Sequence, residues 1–258
     1  MKVSIITPTK NCVKYIEACI QSVLNQPNHD HIFVDGGSTD GTLKILYEYR
    51  DNYPSKIRVI EGKDSSAGDA WVKGMKQSSG GILGWLGGDD TLMPLALSHV
   101  QKFFHDNTEA MFVFGGVNYI DAAGEIIKTP VIKEFNYKDA VSNYVSIPCT
   151  SAFYRREVIK TVDPQIIAEQ DSEVEYWIRV AKVYRMHRSD AVLSNFRQWE
   201  KPGRVDGFYI FSKQTYERGK RNGAGPFSKC ARRYYLACLT YPLKSVIDPL
   251  FLYLVRKG

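Results

Sequence analysis

The sequence predicts an α/β fold: a mainly parallel sheet flanked by helices, followed by a C-terminal helical extension. Three observations carry this. Short apolar runs alternate with segments of helical periodicity through the first half of the chain. Turn-forming residues and acids cluster where two of those runs end. After Gly203 the chain turns aromatic and basic, with helical stretches.

Val3-Ser-Ile-Ile6 reads as the first strand. Asn11 is placed to cap a helix whose Ile16, Cys19, Ile20, Val23 and Leu24 share one face. His31–Val34 is a second strand, and it runs into the turn-forming loop Asp35-Gly-Gly-Ser-Thr-Asp-Gly41. A helix carrying Leu43, Leu46 and Tyr49 follows, then a strand Ile57–Ile60 and a helix around Ala70–Gln77. Ile82–Leu86 is a strand leading into Gly87-Gly-Asp-Asp90. Pro94 suits the first turn of a helix presenting Leu97, Val100 and Phe104. Met111–Phe114 and Ser151–Tyr154 are further strands, and Ser172–Tyr184 is a helix. Strands separated by helices imply crossover connections and parallel pairing. Ligands of such sheets bind at the carboxyl ends of the strands, where both acidic loops lie.

Composition narrows the class. The 258 residues suit one large domain, or one domain with a short appendage. Apolar residues at 44% and charged residues at 24% are those of an ordinary soluble globular protein. A net charge of +6 is too mild to imply nucleic acid, and no nucleic-acid module is visible. It suits anionic substrates such as phosphates, or an anionic membrane surface. Five cysteines, with no Cys-x-x-Cys pair, read as reduced thiols of a cytoplasmic protein, Cys19 being a core residue. With a strand opening at Val3, no signal peptide is expected. Leu236–Val255 is the most apolar run, but Pro242, Lys244, Asp248 and Pro249 interrupt it as a membrane span. Gly219–Gly225 reads as a hinge, which divides the chain into a main domain, 1–218, and a tail, 219–258.

The adjacent carboxylates of Asp89 and Asp90 carry the chemistry. Held together at a strand end, they repel unless something positive lies beside them. A hard divalent cation with phosphate oxygens meets that need and neutralises a leaving diphosphate. On the dipeptide alone, a polar turn with Asp90 capping the next helix is the favoured account. Asp35 adds a carboxylate at the same sheet edge, able to accept from a base N–H or a ribose hydroxyl. Asp40 fits a helix cap or first-turn acid. No P-loop lysine and no Gly-x-Gly-x-x-Gly follows the first strand.

Val3-Ser-Ile-Ile-Thr-Pro-Thr-Lys-Asn11, Val34-Asp-Gly-Gly-Ser-Thr-Asp-Gly-Thr42, Asp64 with Asp69-Ala70, and Gly88-Asp-Asp90 together resemble the family 2 glycosyltransferases of bacterial surface-polysaccharide synthesis. The resemblance is strong over residues 1–95, weaker to about 200 and absent in the tail. It implies the GT-A fold, Rossmann-like, with a nucleotide-sugar half over 1–115 and an acceptor half over 116–218. It implies an inverting transfer from a nucleotide diphosphate sugar, a UDP-sugar by preference, to a saccharide or polyprenyl-linked acceptor, with Mg²⁺ or Mn²⁺ as cofactor. By the same resemblance Thr7 and Pro8 begin the base pocket, Asp35 contacts the base, and Asp64 and Asp69 lie near the donor. Asp89 holds the ribose or donor sugar, and Asp90 the metal. For Asp69, a helix N-terminal acid is an equal reading.

The family places its catalytic base just ahead of a helix with an apolar-aromatic-Arg pattern. Counting back from Trp177 and Arg179 puts Glu173 there, with Asp171 as second choice. Ser172 with Glu175 fits a capping box. Three departures stand out. Gly36 occupies the position of a second acid, and Val72 that of an Asn. Trp199 follows Phe196-Arg-Gln198 where many members carry a His, leaving Arg197 to offer positive charge to the diphosphate or, equally, to form a surface contact. Pro148–Tyr154 resembles the acceptor-side strand.

The tail mixes Lys229, Arg232 and Arg233 with Tyr234, Tyr235 and Leu236, a composition for a peripheral contact at the inner face of the cell membrane, or for a helix packed on the main domain. Two other functions stay open. A catalytically degenerate binding protein fits the missing acid and His, and a nucleotidyltransferase shares the layered plan but lacks its Gly-rich basic loop.

Overall fold

The computed structural model describes residues 1–142, 147–170, 173–198 and 207–238. The chain divides into two compact units, 1–135 with 147–198, and 136–146 with 199–258.

The first unit is built on a nine-stranded sheet. In chain order it runs β1 (Val3–Thr9), α1 (Ile16–Leu24), β2 (His29–Asp35), α2 (Thr42–Asn52), β3 (Ile57–Glu61), α3 (Ala67–Gln77), β4 (Ile82–Trp85), β5 (Thr91–Leu92), α4 (Ala96–Asp106), β6 (Phe112–Ile120) and β7 (Ile126–Lys128). Helix α5 (Tyr137–Ser142) belongs to the second unit. The first unit resumes with β8 (Ala152–Arg155), α6 (Val158–Thr161), α7 (Gln165–Gln170), α8 (Glu173–Val183) and β9 (Met186–Arg197).

The strand order is β3-β2-β1-β4-β8-β6-β9-β5, with β7 beside β6. From β3 to β4 every pairing is parallel, as the alternation of strands and helices predicts. Beyond β4 the sheet is mixed. Strand β8 is antiparallel to both β4 and β6, whereas β6 and β9 are parallel. In the parallel half Thr9 stands opposite Asp35, and Asp35 opposite Glu61, so the three strands end level. That alignment sets the loops after β1 and β2 side by side.

Helix α1 buries Ile16, Cys19, Ile20 and Val23, and α4 buries Leu97, Val100 and Phe104. Three expectations change here. Asn11 is not the cap of α1: the helix starts at Ile16, and Asn11 takes a left-handed backbone (φ 51°). Its side-chain oxygen accepts from Thr39 N at 2.8 Å, tying the loop after β1 to the loop after β2. Pro94 lies ahead of α4 rather than inside its first turn, because Leu95 is left-handed and the helix opens at Ala96. Asp90 caps no helix, since β5 follows it directly.

Packing against the sheet is tight at α3. A Cβ on Gly74 would meet Ile6 Cγ2 at 2.3 Å and Val34 Cγ2 at 3.2 Å. Gly74→Ala is therefore expected to destabilise the fold by about 1–3 kcal/mol through overpacking, a thermal melt being the readout, and an unchanged melting point would contradict it. On the same side of the sheet Trp71, Tyr154, Tyr176 and Trp177 are fully buried together. Trp177 lies 5.8 Å from Trp71 and 5.9 Å from Tyr154, centroid to centroid, as edge-on pairs. This cluster pins α8, and with it Glu173 at the first position of that helix.

The second unit contains α5, α9 (Gly207–Arg221) and a helical stretch over 229–238. Tyr216 stacks on Tyr234 at 4.9 Å, and Tyr137 OH donates to Asn222 O at 3.0 Å. Helix α9 runs through Gly219, so the chain turns beyond 221, with Gly223 at φ 89°, rather than from 219. Among the described residues no helix is long and apolar enough to cross a membrane.

Candidate functional site at the strand ends

Asp35 ends β2 and is completely buried. Its Oδ1 accepts from Gly37 N at 3.0 Å and Ser38 N at 2.7 Å, and its Oδ2 from Ser38 OH at 2.6 Å and Thr9 OH at 3.2 Å. Both oxygens are engaged by the loop itself, so Asp35 shapes the loop that borders the site. Asp40 works similarly from the other end, accepting from Thr42 N and Val13 N, each at 3.0 Å. Thr7 is also buried, bonded to His31 Nε2 at 2.7 Å, and faces into the sheet's packing rather than the site. Pro8, the next residue, lines a pocket at these strand ends.

That pocket is a cavity of about 310 Å³ bounded by Pro8, Thr9, Lys10, Gly36, Asp64 and the turn leading into α3. Asp64 has a side chain only 6% exposed, and its Oδ1 is paired with Lys73 Nζ. Asp69 sits in the first turn of α3, where its Oδ2 accepts from Ser65 N at 3.1 Å and meets Lys73 Nζ at 3.1 Å. Ser66 caps the same helix by accepting from Asp69 N. Hydrogen bonding from Ser65 and then Lys73 holds the Asp69 carboxyl below its ordinary range. The helix-terminal reading of Asp69 thus has its geometry, and the pairing with Lys73 sets it beside the cavity wall. Lys73 is a residue the sequence reading missed. Its spacing of four from Asp69 on a helix was the available signal.

The second acidic loop follows β4. Asp90 is 3% exposed, and a Cβ on Gly87 would come within 2.5 Å of its Oδ2, so only glycine lets the loop fold back over this carboxylate. Burial, reinforced by the charge of Asp89, pushes the Asp90 carboxyl up to about 7. Opposing this, Arg197 N donates to Asp90 Oδ1 at 2.8 Å. The Arg197 guanidinium donates from Nε to Asp89 O at 2.9 Å and from Nη1 to Asp121 O, and lies 4.2 Å from the Tyr15 ring centre. Arg197 is therefore buried and fixes the end of β9 to the Asp89-Asp90 loop.

Glu173 is half-buried at the start of α8. Burial raises the Cys149 thiol well above its ordinary range, and the charges of Glu173 and then Asp90 add to that rise. Both charges thus act on the Cys149 thiol. Asp171 and Ser172 lie outside the described residues. Glu175, proposed for a capping box, is buried, with Arg179 Nε 3.7 Å away.

Do these residues suit a divalent cation? No group of three His, Cys, Asp or Glu is poised to hold a metal among the described residues. The donor set is instead one buried, charge-burdened carboxylate with a second beside it. That is the hard-oxygen set of a cation that takes its remaining ligands from water and substrate phosphates. Asp90 and Asp89 fit Mg²⁺ or Mn²⁺ on those terms.

A model of the family described as Glycosyl transferase family 2 matches residues 4–163, more than half of the chain. The chain belongs to glycosyl transferase family 2. Among similar proteins is a chondroitin synthase of Escherichia coli, 36% identical over 127 residues, which are 48% of this chain and 18% of the synthase. This family 2 chain thus spans under a fifth of that relative. Its fold matches Staphylococcus aureus TarS 1–349 in complex with UDP-GlcNAc at a TM-score of 0.60, with 19% identity over 84% of this chain and 66% of TarS. It also matches the mannosyltransferase PcManGT of Pyrobaculum calidifontis in complex with GDP-Man and Mn²⁺ at 0.63, with 16% identity over 94% of this chain and 71% of that one. At such identities the two structures bear on the fold, which is GT-A.

Proposed function

We propose that this chain is a metal-dependent, inverting glycosyltransferase. It moves a sugar from a UDP-sugar to a saccharide or polyprenyl-linked saccharide in bacterial surface-polysaccharide synthesis. The observation that carries the reading is the buried Asp90 carboxylate, with Gly87 folded over it and Arg197 N donating to it at 2.8 Å, in a chain that belongs to glycosyl transferase family 2. Asp90 is read as the donor-side acid, and Glu173, at the start of α8, as the candidate base.

In this reading the cavity takes the base, Asp89 the ribose or donor sugar, and Asp90 the cation. When bound, Mg²⁺ or Mn²⁺ supplies positive charge that neutralises the leaving diphosphate. Glu173 takes the proton of the acceptor hydroxyl as its oxygen bonds to the anomeric carbon. The bond from that carbon to the diphosphate oxygen breaks on the opposite face, which inverts the centre. Arg197 holds the Asp89-Asp90 loop in place. Thermal shift with a panel of nucleotide diphosphate sugars, with and without Mn²⁺, tests this. A metal-dependent rise from UDP-sugars supports it. Nucleotide binding with neither hydrolysis nor transfer would favour the degenerate binding protein, and pyrophosphate release from a nucleoside triphosphate the nucleotidyltransferase.

The second unit supports a peripheral membrane contact. Phe227 is 84% and Leu236 55% exposed, and Lys229, Arg232 and Arg233 are exposed with them. Cations around apolar side chains suit an anionic lipid surface. The full chain is expected to co-sediment with phosphatidylglycerol vesicles, not with phosphatidylcholine alone, and less so at high salt. Equal recovery with both vesicle types would count against it.

A further inference from the structure

We infer that Lys73 determines which nucleotide base the cavity beside β1 accepts: it occupies one oxygen of Asp64 and leaves the other as a single acceptor, matched to the imide N–H of uracil or thymine. The inference rests on the proposal that this cavity is the base pocket of a nucleotide-sugar donor.

Three observations lead to it. First, Asp64 lines the cavity with its side chain almost wholly buried, and its Oδ2 has no hydrogen-bond partner among the described residues. A buried carboxylate oxygen without a donor is costly, and a ligand N–H relieves that cost. Second, the other oxygen is not available. Lys73 Nζ bonds Oδ1, and the same ammonium is held by Asp69 Oδ2 at 3.1 Å and by Lys63 O at 3.1 Å. Three partners fix Lys73 in place, so Oδ1 stays occupied. Third, a Cβ on Gly36 would lie 3.5 Å from Oδ2 and 3.8 Å from Lys10 Cδ. Gly36 and the exposed Lys10 therefore stand next to Oδ2 on the cavity lining.

The bases differ in what they present to one acceptor. Uracil and thymine offer one N–H between two carbonyls, so one carboxylate oxygen satisfies it. Guanine offers an N–H and an adjacent amino group, a pair suited to a carboxylate with both oxygens free. With Oδ1 held by Lys73, the amino group meets an ammonium instead of an acceptor. Cytosine and adenine present a ring-nitrogen lone pair at the equivalent edge, which a carboxylate repels. Pro8, Ala67 and Ala70 supply apolar surface in the same cavity and carry no base preference.

The test is calorimetric binding of UDP, N3-methyl-UDP, CDP and GDP, with Mn²⁺ present, to the wild-type chain and to Lys73→Met, Lys73→Gln and Lys73→Arg. The wild type is expected to bind UDP at least about tenfold more tightly than the other three, as sites built around a substrate hydrogen bond do. Lys73→Met and Lys73→Gln free Oδ1 and should narrow the UDP-to-GDP ratio by about tenfold, whereas Lys73→Arg retains it. Thermal melts report which variants fold, and the N3-methyl comparison needs no variant. Equal binding of UDP and N3-methyl-UDP overturns the inference. So does a uniform loss across all four ligands with the ratio intact, the mark of a purely structural lysine. Those two results leave the donor reading standing, whereas a wild type that binds no nucleoside diphosphate removes both.

Discussion

Asp90→Asn is expected to abolish measurable transfer while leaving the metal-free protein at least as stable at pH 8 as the wild type. The Asp90 carboxyl stands near 7 in the folded chain against an ordinary 3.8, chiefly because it is buried and then because Asp89 lies beside it. Between those two pH values the folded state binds more protons than the unfolded one, so this group's contribution to stability falls as pH rises from about 4 to about 7. Above pH 7 the full cost of holding the charge remains, on the order of 4 kcal/mol at 1.36 kcal/mol per pKa unit. Below pH 4 it is absent. Asn can still accept from Arg197 N and carries no charge. In chelator-treated protein the wild-type melting point should therefore fall between pH 5 and pH 8 more steeply than that of Asp90→Asn. Parallel pH profiles would contradict the argument. Transfer should drop by about a thousandfold or more, because charge stabilisation at a leaving group is among the larger catalytic effects.

Glu173→Gln carries the second large effect. If Glu173 takes the acceptor proton, turnover should fall by about 10²–10⁴-fold while affinity for UDP stays within about twofold of the wild type. Asp171→Asn is the control, expected to leave turnover nearly unchanged. If Asp171→Asn proved the more damaging of the two, the roles would be exchanged. The scaffold around this residue gives a further check. Trp177→Ala hollows the aromatic cluster that seats α8, so it should destabilise the fold by about 3–5 kcal/mol and lower turnover through Glu173 placement.

The parallel half of the sheet was legible from the chain alone. Its strands are apolar runs bounded by turn residues, and Asp35, Asp89 and Asp90 sit where those runs end. Strand β9 was not visible as twelve residues, because Met186–Arg197 interleaves buried positions with charged, exposed ones and its apolar run, Ala191–Leu193, is short. Its inner positions become apparent once β6 pairs with it. Asn11 read as a cap because capping is its commonest local use, whereas its actual partner, Thr39, is twenty-eight residues away. The resemblance assigned Asp35 to the base, and what the sequence did not show is that the loop itself engages both of its oxygens. The effect of the Glu173 and Asp90 charges on Cys149 carries no sequence signal, since the three residues are far apart along the chain. Arg197 was legible as a cation near the acidic loop, but its anchoring through backbone carbonyls was not.

The central claim is that the Asp90 site supports metal-dependent release of a nucleoside diphosphate from a sugar donor. The most direct measurement is UDP release from a panel of UDP-sugars at pH 8, with Mn²⁺ or with EDTA, by the wild type and by Asp90→Asn. UDP released from at least one donor with Mn²⁺, and lost both in EDTA and in the variant, is the predicted result. Release that is indifferent to EDTA and to the Asp90 substitution would contradict the account.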